Sequence, residues 1–192
     1  LLEYISNYIK RKSVEPISKV QRAVLAIFDK DVHLRRVLRH LKKENMNLND
    51  LDIEIARYKK LTLEGRWYEE LLEIYNRKYK SYEFNRSEMK KIWMTIAYGK
   101  PNKNKALVKA FNKEFQHIFF IFNCIKSKEV TKLESKDDKA QALLAILLQK
   151  VESYLFIDLI AETLVEKSII PITIHDSVII HKDNAIETEQ IV

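Results

Sequence analysis

Two glycines and three prolines are all that punctuate 192 residues, and this scarcity constrains the fold more than any other feature. Tight turns draw on glycine for left-handed backbone and on proline for a fixed φ, so a sandwich of short strands would need many more of both. Helices need neither. The chain is expected to be α+β and mostly helical, with little sheet. Apolar residues make up 46% of it, enough for a real core and against disorder.

Taken in order, residues 1–20 read as a helix ending before Pro16. The short apolar run Ala23–Phe28 suits a buried strand that delivers Asp29 and Asp31 at its end, with a helix starting near Val32. There Asp29 is either a rigidly held carboxylate or the helix N-cap. Residues 47–60 read as a polar helical connection, Gly65 as a turn, and the stretch through Tyr75 as an amphipathic helix with Trp67 and Tyr68 in the core. Pro101 breaks the chain before one long helix over 106–126, which carries Phe111, Phe115, Ile118, Phe119 and Phe122 on one side. A charged loop over 126–138 and a long or bent helix over 140–167 follow. Ile170 to Ile180 is two β-branched runs joined by His175 and Asp176, a tight hairpin.

The stretch Arg86 to Gly99 reads as a single helix on which Arg86, Lys90, Met94 and Tyr98 fall four residues apart and share a face. Two cations one turn apart can grip a triphosphate, and the sulfur and ring beyond them offer a base a stacking surface. The same spacing also suits a solvated charge pair beside a core Met and Tyr. The net charge of +7 favours a polyanionic partner weakly, and Lys100, Lys103, Lys105, Lys109 and Lys113 either track phosphates or form a solvated face. The single Cys124 has no intrachain disulfide partner, which fits a reducing, cytoplasmic setting. Its apolar surroundings are too short to span a bilayer, so no membrane association is expected. The chain opens at Leu1 without an initiator Met, and a piece of something longer is expected.

Arg86, Lys90, Tyr98 and Gly99 resemble motif B, R-x3-K-x7-YG, of the family A DNA polymerases and of the related phage-type single-subunit RNA polymerases. The run from Asp29 to Leu41 is similar to their motif A, D-Y-S-Q-I-E-L-R-I-L-A-H-L, matching at Asp29, Arg36, Leu38, His40 and Leu41. His175-Asp176 resembles the His-Asp hairpin of motif C. The three stand in the family's order, and the resemblance covers roughly residues 23–190. Asp31 replaces the family's serine, Leu34 its sugar-gate glutamate, and Ser177 follows the hairpin aspartate as in the RNA enzymes.

The resemblance implies a right-hand polymerase fold without a full thumb: a partial thumb or connecting helix over 1–22, a palm with a small antiparallel sheet over 23–60 and 140–192, and helical fingers over 61–139. It implies a template-directed nucleotidyltransferase, foremost a compact divergent DNA polymerase, with a single-subunit RNA polymerase or a catalytically degenerate nucleic-acid-binding fragment as alternatives. Asp29 and Asp176, each at the end of a buried strand pair, would hold two magnesium ions, which take carboxylate oxygens. Arg86 and Lys90 would hold the triphosphate, with Lys90 also protonating pyrophosphate, while Met94, Tyr98 and Leu34 border the nucleotide. Arg36, Gln149 and His175 would meet the nucleic acid, although Gln149 equally suits a helix surface. The implied partners are primer-template, nucleoside triphosphates and further thumb segments, and the implied setting is the cytoplasm, or a host cytoplasm for a viral or mobile-element protein. Leu34 is expected to give a leaky preference for deoxynucleotides.

Overall fold

The computed structural model describes residues 1–10, 18–80, 84–99, 105–133, 139–174 and 177–189. They form twelve α-helices and one two-stranded sheet: α1 (Leu2–Ile9), α2 (Lys19–Lys30), α3 (Val32–Leu41), α4 (Leu48–Leu63), α5 (Trp67–Tyr79), α6 (Arg86–Tyr98), α7 (Lys105–Glu114), α8 (Gln116–Lys126), α9 (Lys128–Thr131), α10 (Lys139–Ser153), α11 (Glu162–Glu166), β1 (Ile172–Ile174), β2 (Ser177–Ile179) and α12 (Ala185–Glu189). A π-helical segment, Tyr154–Ala161, joins α10 to α11, and a 3-10 turn, Lys182–Asn184, precedes α12. The fold is therefore mostly helical with a small antiparallel sheet. No helix among the described residues is long and apolar enough to cross a membrane. The chain divides into two compact units, Leu1–Pro16 with Phe28–Leu144, and Ile17–Ile27 with Ala145–Val192.

In the first unit α5 packs on α4, α6 and α7, and α8 on α3, α4, α7 and α9. The helices meet on a cluster of rings. Trp67 stands edge-on to Trp93 at 4.9 Å, to Tyr58 at 4.6 Å and to Phe115 at 5.2 Å between centroids. Phe111 lies 4.9 Å from Trp93 and stacks on Phe115 at 5.3 Å. Edge-to-face pairs of this kind add roughly 0.5–1.5 kcal/mol each beyond their burial. The Arg57 guanidinium covers Phe115 at 4.8 Å and is itself tied to Glu70 and Glu114.

Helix ends follow local chemistry. Asn85 and Glu88 form a reciprocal capping box that starts α6. At the other end, a Cβ on Gly99 would meet the Thr95 carbonyl oxygen at 2.5 Å, so only glycine fits there. Gly65, with φ of 68°, makes the left-handed turn between α4 and α5. The expected single helix over 106–126 is broken at Phe115, where φ is −136° and ψ is 54°. There Glu54 of α4 takes over the cap: its carboxylate accepts from the His117 and Ile118 amides at 2.9 and 3.0 Å. Part of the expected loop over 126–138 is the short helix α9, capped by Ser127.

The strand expected at Ala23–Phe28 is instead the middle of α2. Ser18 Oγ accepts from the Gln21 amide and starts this helix five residues before the apolar run. Asp31, not Asp29, caps α3, accepting from the amides of His33 and Leu34 at 3.0 and 2.9 Å. A six-residue apolar run does not by itself separate strand from helix, and the caps on either side decide it.

In the second unit the expected hairpin forms, with Ile172 opposite Ile179 and Ile174 opposite Ser177. The π segment packs on both strands and on α11. The hairpin differs from the expected buried strand pair: Ile172, Ile174 and Ile179 are exposed, and among the described residues no third strand extends the sheet.

Helix α6 is predicted to owe its place mainly to burial. Trp93→Ala should lower the unfolding free energy by about 3–5 kcal/mol and Asn85→Ala by about 1 kcal/mol, measured by urea denaturation. A cost for Trp93→Ala no larger than that of the cap would contradict this packing.

Candidate nucleotide-binding face of α6

Met89, Trp93, Ile96 and Ala97 are the buried residues of α6. They recur at intervals of four, three and one, which turns the remaining faces outward. Arg86, Lys90 and Met94 are exposed and Tyr98 is half-buried at the far end, so the stripe read from spacing lies on an accessible face.

The cationic end of this face is already occupied. Arg86 Nε donates to Glu69 Oε1 at 2.5 Å, its Nη2 donates to the Gly65 carbonyl at 3.4 Å, and the guanidinium sits 5.4 Å from the Tyr68 ring centroid. The Glu69 carboxyl is held below its ordinary range, first by a hydrogen bond from its own backbone amide and further by Arg86. An exposed ion pair of this kind is worth roughly 0–1 kcal/mol, whereas a charge-assisted bond to phosphate is worth about 1.5–3 kcal/mol. Lys90 is exposed and takes part in no ion pair among the described residues.

The aromatic end is built from three tyrosines. Burial, then the neighbouring Tyr68, raises the Tyr98 hydroxyl above its ordinary value; burial, then Tyr98, pushes Tyr58 up to about 12. Tyr98 and Tyr58 therefore keep their protons near neutrality. Behind Tyr98, the buried Lys126 of α8 donates from Nζ to the Ile96 carbonyl at 2.6 Å, a cation on the last carbonyls of α6. Burial pushes its ammonium down to about 8.

The other residues named from the sequence are placed differently. Asp29 is exposed in the last turn of α2, where the Tyr4 hydroxyl donates to its Oδ1 at 2.5 Å. His175 and Asp176 lie outside the described residues, as do Lys100 and Lys103. Leu34, expected to border the nucleotide sugar, is fully buried on the inner side of α3. Arg36 donates from Nη1 to the Thr131 and Lys132 carbonyls at 3.1 and 3.3 Å and so caps α9, a use of its charge that spacing within α3 does not disclose. Gln149 is exposed near the end of α10, and Lys109 and Lys113 are exposed on α7.

Magnesium takes several oxygen donors. Of the two ligands implied for it, Asp29 offers one carboxylate shared with a tyrosine, and no group of three or more His, Cys, Asp or Glu among the described residues is arranged to hold a metal ion. Sequence reading missed Glu69 and Lys126, which act on α6 from 17 and 30 residues away and leave no local pattern. No family model, curated protein or solved structure matches the chain.

Lys126 gives the first unit a characteristic pH response. Its folded-state pKa lies below its unfolded value, so between about pH 8 and 10 the unfolded chain binds more protons and stability rises with pH. Below that window both states are protonated and the contribution is flat. Across it, the stability of the wild type relative to Lys126→Met should climb by roughly 1–3 kcal/mol, read by denaturant titration at each pH. Parallel curves for the two proteins would rule the ammonium out as the source.

Proposed function

We propose that the chain is a template-directed nucleotidyltransferase, most simply a compact DNA polymerase, that holds the incoming triphosphate on the outer face of α6. The observation that carries this reading is the exposed Arg86–Lys90–Met94–Tyr98 stripe on a helix anchored through its opposite side. Phosphoryl transfer depends chiefly on placing the phosphate and neutralising its charge, which two cations one turn apart on an anchored helix can serve. Arg86 exchanges Glu69 for phosphate oxygens in this scheme, Lys90 supplies a second cation and a proton for the departing pyrophosphate, and Met94 and Tyr98 border the base. The His-Asp hairpin and the motif order support the same reading.

The second reading, nucleic-acid binding without catalysis, is favoured by one observation: Asp29 lies in a helix with Tyr4 on its carboxylate, whereas the polymerase resemblance puts it at a strand end. An RNA product is a third, and Ser177 together with the buried Leu34 leans toward it.

Primer extension with deoxy- and ribonucleotides in parallel separates the three. The wild type should extend the primer, Asp176→Asn should abolish extension, and Arg86→Ala or Lys90→Ala should reduce kcat/KM by about 10- to 100-fold. Glu69→Gln should raise triphosphate affinity by about 2- to 5-fold, because it removes the competing carboxylate. Salt-sensitive binding of primer-template without extension would select the binding-only reading. Extension with ribonucleotides alone would select the RNA enzyme, and neither binding nor extension would defeat all three.

A further inference from the structure

A pocket of about 670 Å³ opens in the first unit between the α3–α4 connection, α7 and the first turns of α8. No residue of α6 lines it, so its ligand chemistry is independent of the proposed polymerase activity. Its volume falls in the range of small-molecule sites. Its walls hold the amides of Asn45, Asn112 and Gln116, the rings of Phe119 and Phe120, and the His117 imidazole.

The chemistry of this lining is selective. No lysine or arginine contributes to it, although the chain carries 34 of them, while Glu44 and Asp50 do. A phosphate or carboxylate ligand would meet acidic groups and no cation, so anions are disfavoured. Glu54 Oε1 lies 2.7 Å from His117 Nδ1, and the same carboxylate fixes the backbone on which the ring sits. That bond places a proton on Nδ1, and in the neutral ring so oriented Nε2 is an acceptor. Because Glu54 also caps α8, the imidazole is held by a group that cannot move without releasing the helix. The carboxylates add further acceptors. Phe120, about one-third exposed, offers a ring to a planar ligand.

We propose that this pocket binds an amino-substituted heterocycle of the adenine or cytosine class, with its exocyclic N–H donors directed to the acceptors and its face against the phenylalanines. Such a base comes either from a free nucleoside or from a single strand whose base is turned out of its stack. The shared chemistry is an uncharged planar ring carrying an amine.

Titration of the full chain with adenosine, cytidine, uridine and inosine, followed by NMR shifts of α8 amides, tests this. Adenosine and cytidine should bind about tenfold or more tightly than uridine and inosine, which carry carbonyl oxygens in place of the amine. Phe120→Ala, at a partly exposed position, should weaken adenosine by about tenfold with the fold intact, and His117→Ala should do the same or more. Parallel titrations with oligo(dA) and oligo(dT) assign the source: a strand-derived base favours oligo(dA) over adenosine, and a free nucleoside reverses that order. Absence of binding by every probe, equal affinity for uridine and inosine, or affinity unchanged in both variants would overturn the proposal.

Discussion

The contact between Trp67 and Trp93 is the one on which the rest of the first unit depends. Trp67 begins α5 and Trp93 lies midway along α6, and their rings meet edge-to-face with Phe111 and Phe115 closing around them. Four helices that share few sequence neighbours are thereby fixed to one another. Tryptophan is the largest side chain in the sequence, and large apolar rings contribute the most burial per residue. Once Trp93 is held, the orientation of α6 about its own axis is held too, and Arg86, Lys90 and Met94 have nowhere to face but solvent.

That constraint links packing to chemistry. A cationic stripe on a loosely attached helix would lose part of its binding energy to ordering, whereas here the ordering accompanies folding. Lys126 reinforces the arrangement from inside, since its ammonium is buried on the Ile96 carbonyl near Tyr98. Glu69 acts from outside and pairs with Arg86 where the guanidinium lies over Tyr68. The helix is thus braced from the core by a buried contact and at its surface by an exposed ion pair, which is the weaker of the two.

How much of this is legible in the sequence differs by element, for physical reasons. Helix α6 is readable to its ends because its period, its first cation and Gly99 are all local. The hairpin at Ile172–Ile179 is readable because β-branched runs on both sides of two turn-tolerant residues leave few alternatives. The run Ala23–Phe28 reads wrongly as a strand because its apolar length suits either state, and Ser18 and Asp31 settle it from outside the run. Arg36, Lys126 and the Glu54–His117 clasp are invisible because each is a contact across 30 to 95 residues between helices. For Leu34 the motif suggests a place at a nucleotide, and the packing of α3 that buries the side chain depends on helices remote in sequence.

Binding of a nucleoside triphosphate on the outer face of α6 is best tested by lysine acetylation footprinting with and without the triphosphate. Lys90 and Lys91 on α6 are exposed, and Lys60 on α4 serves as an exposed reference. The triphosphate should protect Lys90 strongly at low salt, lose that protection as salt rises, and leave Lys60 unchanged. Full reactivity of Lys90 in the presence of saturating triphosphate would contradict binding at this face.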